Sequence, residues 1–324
     1  MGHLDFIKTL KQHLDETLSK TTSNNWLKYL QQTSSMQNAT SWMIFSDYCI
    51  GDKNKHIDSI SFVICPTVNI DLISSETNSF IPKDIKKTRD INKRTLNYLK
   101  FPYYFSINFA IDNIESYYKL YAPKNDKTVL SRDIESTYNN LNSIAQKTPF
   151  QESFLKKIKN LREEIKSNNF RTYNFCIILF IAFLASYVAL FVTTHTKVKK
   201  LLWLSDRGLC FDFLDGLCFD FYNQIYYNLL IDTNILIPMP NPFGIGGMQK
   251  YTTKPWYDSL IKIPDYYAGT IASWDLNTNN ADADKHVQII DNVFADNPYF
   301  NLIKIDLKNK LFQSARIDIT KRQK

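Results

Sequence analysis

The chain has 324 residues, of which 44% are apolar and 22% charged, and its formal net charge is +7. These values are typical of a globular protein with a sizeable core, and they exclude a disordered or collagen-like chain. Glycine occurs only 8 times, which argues against a glycine-rich nucleotide-binding sheet. The basic balance is compatible with a polyanionic partner, although a surface of mixed charge is the simpler explanation.

The first third of the sequence predicts helices followed by a β-rich region. Apolar residues recur at helical spacing through 4–33, with a polar break at 21–25, so two helices are expected there. Charges are spread through the first of them, which is not the pattern of a signal peptide. The next predicted elements are strand 40–50, turn 51–55, strands 56–66 and 68–73, basic helix 81–99 and aromatic strand 101–112.

The remainder of the chain alternates helical and extended patterns. A polar helical region fills 113–168 and precedes the apolar segment 175–192. The later predicted elements are strand 198–206, loop 241–254, helices 263–276 and 284–295, and strands 301–307 and 315–321. This order predicts an α/β or α+β domain built on a mixed sheet.

The apolar segment 175–192 carries no charge over eighteen residues, which is long enough to cross a bilayer. Basic residues flank it on both sides, so charge gives no orientation. The alternative is a buried central helix that is covered on all sides. We favour the buried helix, because a single span would place the candidate site residues named below on opposite sides of a membrane.

The hexapeptide GLCFDF occurs twice, at 208–213 and 216–221. On a helix, copies eight residues apart are separated by about 80°, so they cannot serve as equivalent ligands. A hairpin through Asp215 and the following glycine is the alternative. An apolar helical stripe that continues to residue 229 favours the helix, and on either interpretation we expect Asp212 and Asp220 to be surface acids.

Three aspartates stand where a strand ends or a helix begins. Asp47 closes SWMIFSD, Asp206 closes VKKLLWLSD, and Asp265 opens IPDYYAGTIASW. Taken singly, the first two could be turn residues and the third a helix N-terminal acid. An acid at the end of a core strand loses hydration unless it meets a cation or a donor, and clustered carboxylates favour Mg²⁺ or Mn²⁺. Jointly they predict a metal site of the kind that cleaves phosphodiesters.

Three short motifs resemble a known family. The segment YDSLIKIPDYYAGTIASW (257–274) is similar to a motif in which a D-S pair precedes an A-D-L-x-A-G helix. That motif belongs to the RNase H-like, nuclease-type proteins catalogued as domain of unknown function 3800. FSDYCIGDK resembles the opening D-E-S-G hairpin of the family, and LLWLSDR resembles its middle strand, which ends in Asp. The resemblance spans roughly residues 40–276.

The resemblance implies an RNase H-like mixed sheet with flanking helices. It also implies that Asp47, Asp206 and Asp265 are catalytic residues and metal ligands. One position departs from the pattern, because the glutamate that follows the first aspartate in the family is Tyr48 here. The substitution removes a ligand, which leaves either a weaker metal site or a domain that kept the fold and lost the activity.

The domain organisation expected from these motifs has two parts. Residues 1–35 are an N-terminal helical extension, and residues 36–324 are the RNase H-like domain with a helical insertion at about 113–168. Five scattered cysteines indicate reduced thiols and a cytoplasmic protein, or a membrane-anchored one if 175–192 is a span.

Three functional hypotheses follow. The first is a Mg²⁺- or Mn²⁺-dependent nuclease that acts on RNA or DNA, in nucleic-acid processing or defence against phage. The second is a catalytically inactive module of the same fold that binds nucleic acid or a protein, and the third is a single-pass membrane protein. Nucleic acid is the favoured partner. Helix 81–99 could grip its backbone, although a solvated helix over core aromatics is the simpler explanation.

Overall fold

A computed structural model describes residues 3–68, 70–112, 114–122, 126–206, 208, 213–233, 241–244, 256–307 and 313–322. The strands are β1 (Ser41–Cys49), β2 (Asp58–Pro66), β3 (Phe105–Asp112), β4 (Lys200–Ser205), β5 (Asn241–Gly244), β6 (Trp274–Asp275), β7 (Asn280–Ala281), β8 (Phe300–Asp306) and β9 (Gln313–Ile317). The helices are α1 (His3–Leu18), α2 (Thr21–Leu30), α3 (Ser34–Gln37), α4 (Ile70–Phe80), α5 (Lys93–Leu99), α6 (Ile114–Tyr121), α7 (Thr128–Asn142), α8 (Pro149–Glu164), α9 (Thr172–His195), α10 (Leu217–Asp232), α11 (Asp258–Ala272) and α12 (Asp284–Ile289). Short 3₁₀ turns lie at Ile85–Lys87 and Phe213–Asp215, and a π-turn at Ile290–Phe294 follows α12.

Seven strands form one mixed sheet in the order β5-β4-β1-β2-β3-β8-β9. The pairs β1/β2, β2/β3 and β8/β9 are antiparallel, and the pairs β1/β4, β4/β5 and β3/β8 are parallel. A separate two-stranded ribbon joins β6 and β7. The mixed α/β class predicted from the order of elements is therefore confirmed.

The central strands β2 and β3 are buried at all but one position each, so the middle of the sheet is covered on both faces. Side chains alternate along a strand, so Trp42 and Ile44 face one core while Met43 and Phe45 face the other. The first core is covered by α1, α2, α8, α9 and α10, and the second by α4, α5, α11 and α12. The face of each residue on β1 thus decides which helices it meets.

Helix α9 contains the apolar segment 175–192 and lies in the first core. Every side chain from Phe175 to Thr193 is buried, and the helix packs closely along α10. In the described part of the chain it is the one helix long and apolar enough to cross a membrane. Its complete burial is consistent with the core of a soluble protein, as the buried-helix interpretation requires.

The GLCFDF repeat is not one continuous helix. Leu214, Asp215 and Gly216 all have positive φ, and α10 begins only at Leu217. The left-handed turn includes Gly216 (φ +74°), a residue that adopts positive φ without strain, and the second copy is helical from Leu217 onward. Residues 209–212, with Asp212, lie outside the described residues.

Asp220 is buried, and the prediction that it is a surface acid is wrong. Its side chain pairs with the Lys157 ammonium on α8 at 2.6 Å. Burial raises the pKa of Asp220, while the attraction of Lys157 lowers it. A partner 63 residues away in the sequence satisfies this carboxylate, and no local pattern predicts such a pair.

Three other elements differ from their predictions. Residues 70–73, predicted as part of a strand, belong to α4, where Ile73 and Thr77 are buried one turn apart. Segment 81–99 is not one helix: Asn92 accepts a hydrogen bond from the Thr95 N–H and starts the short α5. The predicted loop 241–254 begins as β5, and residues 245–255 lie outside the described residues.

Candidate active site

The pairing of β1 with β4, and the alternation of side chains along each strand, bring Asp47 and Asp206 together. Phe45 pairs with Leu204 in the parallel β1/β4 ladder, and Ser46 pairs with Ser205. Asp47 and Asp206 follow that last pair, so they lie side by side on the face of Phe45 and Leu204. The Asp206 N–H donates to the Ser46 carbonyl at 3.1 Å, which holds the two strand ends together.

Asp265 reaches the same place from α11, which packs across β1 and β2 on that face. The helix begins at Asp258, five residues before the predicted start, so Asp265 lies in its third turn. A helix N-terminal role for Asp265 is therefore wrong. Pro264 stands inside the helix and has no N–H to donate to the Leu260 carbonyl.

A cavity of about 410 Å³ brings the three predicted aspartates together at the carboxyl ends of β1 and β4. Five further charged residues line it and are not among the predicted site residues. They are Asp84, Lys86, Lys87, Asp258 and Lys262. Asp258, Lys262 and Asp265 are spaced i, i+4, i+7, the helical spacing of one face, so an earlier predicted start of α11 would have revealed this set.

Asp47 and Asp265 are two acids whose ionisation is linked, because each carboxyl affects the pKa of the other. Burial raises the pKa of Asp47 well above its usual range, and the neighbouring charges of Asp265 and Asp206 raise it further. Burial also raises the pKa of Asp265. The hydrogen bond between the two side chains raises the pKa of Asp47 and lowers that of Asp265. Asp206 is exposed at the mouth of the cavity.

Tyr48 occupies the position where the resemblance implies a glutamate. Its backbone N–H donates to Asp47 Oδ1 at 2.7 Å, and its hydroxyl donates to the Asp206 carbonyl at 3.5 Å. Tyr48 therefore orders both strand ends without supplying a carboxylate oxygen.

A backbone donor fixes the orientation of Asp265. The Ile85 N–H donates to Asp265 Oδ2 at 2.8 Å, and this bond lowers the pKa of the carboxyl against the effect of burial. The 3₁₀ turn that carries Ile85 can approach α11 because residue 269 is glycine. A Cβ atom at Gly269 would lie 2.8 Å from Ile85 Cγ2, closer than packed carbons allow.

We expect Gly269→Ala to destabilise the chain by about 1–3 kcal/mol through overpacking, despite the gain of about 1 kcal/mol that alanine brings to a helix. Urea denaturation measures the difference. The double variant Gly269→Ala/Ile85→Ala removes the clashing Cγ2, so it should be more stable than the sum of the two single variants predicts. Additive effects would mean that the contact does not exist.

The donor set of the cavity fits a hard divalent cation. Mg²⁺ and Mn²⁺ prefer carboxylate oxygens, and a cation would relieve the repulsion that raises the pKa of Asp47. Among the described residues, however, no group of three or more His, Cys, Asp or Glu side chains is already arranged as a metal site. Rotation of the exposed Asp206 side chain toward the Asp47–Asp265 pair would be needed to complete one.

Comparison of the chain with protein-family models, with curated proteins and with solved structures gives no match. The function is therefore inferred from the residues of this cavity and their surroundings.

Proposed function

We propose that the chain is a metal-dependent phosphodiester hydrolase, a nuclease that acts on RNA or DNA. One observation carries the proposal: Asp47, Asp206 and Asp265 come from distant parts of the sequence and line one cavity. Asp47 and Asp265 have raised pKa values. Carboxyls with shifted pKa values are concentrated at functional sites, because burial and like charges are brought together there for chemistry.

The position of the cavity in the sheet supports the proposal. It lies at the carboxyl ends of adjacent parallel strands, where α/β proteins place ligand sites. The five strands in the order β5-β4-β1-β2-β3, of which the first three along the chain are antiparallel, also agree with the RNase H-like sheet that the sequence motifs imply.

Asp47, Asp206 and Asp265 would hold the cation. A bound Mg²⁺ or Mn²⁺ lowers the pKa of water and neutralises charge on a phosphoryl group. The chain itself contributes orientation, because Ile85 fixes Asp265 and Tyr48 fixes the strand ends. The ammonium groups of the cavity attract the phosphate diester and offset the acids around it.

We expect Asp206→Ala to lose more than the roughly 10–100-fold in activity that follows removal of a residue that merely supports a metal ligand. Asp206 is exposed, so the variant should keep the fold and thermal midpoint of the unchanged chain. Cleavage of labelled single- and double-stranded RNA and DNA with Mg²⁺ or Mn²⁺ measures the effect.

The matched control is Asp232→Ala. Asp232 is also exposed, and it ends α10, on the opposite face of the sheet. The control should cleave at the unchanged rate. Equal cleavage by Asp206→Ala and the unchanged chain would refute the assignment of the site.

A second candidate function is a metal-independent binding module, and the interaction between Asp47 and Asp265 favours it. Asp47 and Asp265 already satisfy each other through one hydrogen bond, and the nearby charge of Lys86 lowers the pKa of Asp265. Titration calorimetry with Mn²⁺ separates the two candidates. Heat of binding that disappears in Asp265→Asn supports the nuclease, and nucleic-acid binding without any Mn²⁺ binding supports the module.

We also infer a cytoplasmic location. The support is chemical: among the described residues, Cys49, Cys65, Cys176 and Cys218 are buried thiols outside any disulfide bond, as expected in a reducing compartment.

A further inference from the structure

Residues 82–92, here called the basic loop, run beside the aspartate cavity. The sequence PKDIKKTRDIN carries four basic and two acidic residues. It is neither a helix nor a strand apart from the 3₁₀ turn at Ile85–Lys87. The sequence predicts a basic helix here. The chain forms an irregular loop instead, so its charged side chains do not follow helical spacing.

The basic loop is anchored to the domain on its inner side. Ile85 is 1% exposed and packs against Gly269 of α11. The Lys285 ammonium donates to the carbonyls of Ile85 and Thr88, each at 2.8 Å. The Tyr266 hydroxyl donates to the Lys83 carbonyl at 3.1 Å. Together with the bond from the Ile85 N–H to Asp265, these contacts fix the backbone of residues 83–88 at five points, so the outward side chains have defined positions.

The cations of the basic loop point to solvent. Lys83, Lys86 and Arg89 are exposed, and within the described residues none of them forms an ion pair. Lys87 pairs with Asp84 at 2.9 Å and remains 75% exposed at its side chain. Unpaired cations held in a short rigid segment repel one another, and a polyanion relieves that repulsion.

A second cavity, of about 580 Å³, lies on the other side of the same loop. Lys83, Lys87 and Arg89 line it together with Tyr266, which is the neighbour of Asp265 on α11. Lys87 also lines the aspartate cavity, so the two cavities meet at this side chain. The volume lies within the range of pockets that hold small ligands, large enough for one nucleotide.

We propose that a nucleic-acid strand crosses the basic loop, with successive phosphates on Lys83, Lys86 and Arg89. The second cavity then holds the nucleotide next to the phosphate that lies in the aspartate cavity. The repeated charge of a phosphate backbone matches cations on both sides of Lys87, whereas a single small anion would use one cavity only. The second part of this proposal rests on the proposed nuclease function, and the binding part does not.

The test is binding of a fluorescent 12-nucleotide strand in EDTA, where hydrolysis does not occur. We expect the triple variant Lys83→Gln/Lys86→Gln/Arg89→Gln to bind at least about tenfold more weakly. Its dependence of log K on log salt should be less steep by about 2, since each phosphate contact on a single strand contributes roughly 0.7. Anisotropy at several salt concentrations measures both quantities.

A control with the same change in charge is Lys28→Gln/Lys156→Gln/Lys159→Gln, whose exposed lysines lie on α2 and α8. It should bind as the unchanged chain does, and circular dichroism checks that both triple variants fold. Equal weakening in the two variants, no binding by the unchanged chain, or equal competition by polyglutamate would each overturn the proposal.

Failure of the two proposals can be told apart. In EDTA, Asp206→Ala should bind the strand at least as tightly as the unchanged chain, because it removes a negative charge from the aspartate cavity and leaves the basic loop intact. A chain that binds through the basic loop but never cleaves would refute the nuclease and leave the binding surface intact. A chain that cleaves equally well without the three cations would refute the binding surface alone.

Discussion

Asp47→Asn is expected to stabilise the folded chain at pH 8 and to abolish hydrolysis. Asparagine has nearly the same shape, and its amide can donate to Asp265 while its oxygen accepts the Tyr48 N–H. The variant therefore keeps the hydrogen bonds and removes the repulsion among the three carboxylates. We expect a gain of about 1–3 kcal/mol in the free energy of unfolding, the range for relieving an unfavourably buried polar group. Urea denaturation at pH 8 measures it.

The pH dependence of stability has a definite sign. A carboxyl whose pKa is raised in the folded state binds its proton more tightly there than in the unfolded chain. The destabilising effect of Asp47 is therefore absent below its unfolded pKa of 3.8 and grows as the pH rises toward the folded value. The unchanged chain should lose stability over this rise, and Asp47→Asn should lose less.

Divalent cations should offset the loss of stability that accompanies the rise in pH. Mg²⁺ or Mn²⁺ binds the ionised carboxylates of the folded chain, so the ion should raise the thermal midpoint more at pH 8 than at pH 5. Asp232→Asn, at an exposed position, is the control and should show the pH slope and the metal response of the unchanged chain. If Asp47→Asn is less stable than the unchanged chain at pH 8, the carboxylate repulsion described here is wrong.

Ala185→Lys is expected to prevent folding. Ala185 is fully buried in the middle of α9, which is covered by α10 and by the sheet. A lysine there would enter a segment whose neighbours Leu184 and Val188 are fully buried, and a buried charge belongs to the few changes that cost more than about 4 kcal/mol. The yield of folded protein and the urea midpoint measure the effect.

Thr194→Lys is the control on the same helix. Thr194 is exposed near the C-terminal end of α9, where a cation is also favoured by the helix dipole. This variant should change stability by less than about 0.5 kcal/mol. A folded Ala185→Lys chain, or one that is recovered only with membranes, would show that α9 is not the core helix described here.

The pairing of Asp47 with Asp206 could be predicted because a strand has a strict period of two and parallel strands end at one edge. Asp265 lines the same cavity as these two aspartates, but the local pattern that singled it out, a helix start, does not occur there. Pro264 suggested a helix start, whereas α11 continues through it from Asp258. A proline is tolerated there because packing on β1 and β2 holds the helix, and tertiary contacts of that kind have no local signal.

The path of the basic loop could not be predicted from the sequence either. Its charges are evident in the sequence, but their path depends on hydrogen bonds from Lys285 and Tyr266, which lie about two hundred residues later. The Lys157–Asp220 ion pair likewise joins residues that are 63 positions apart, and no local sequence pattern predicts it. Long-range hydrogen bonds of this kind determine which charges are buried and which are free to bind a ligand.

The hydrogen bond from the Ile85 N–H to Asp265 links the basic loop to the aspartate cavity. It makes the position of the basic loop and the ionisation of the carboxyl two parts of one equilibrium. Whatever holds the loop against α11 strengthens this bond and favours ionised Asp265. By thermodynamic reciprocity, ionised Asp265 favours the held loop to the same extent. A ligand that bound only the outer side of the basic loop and held it against α11 would therefore lower the proton affinity of Asp265 through the Ile85 N–H.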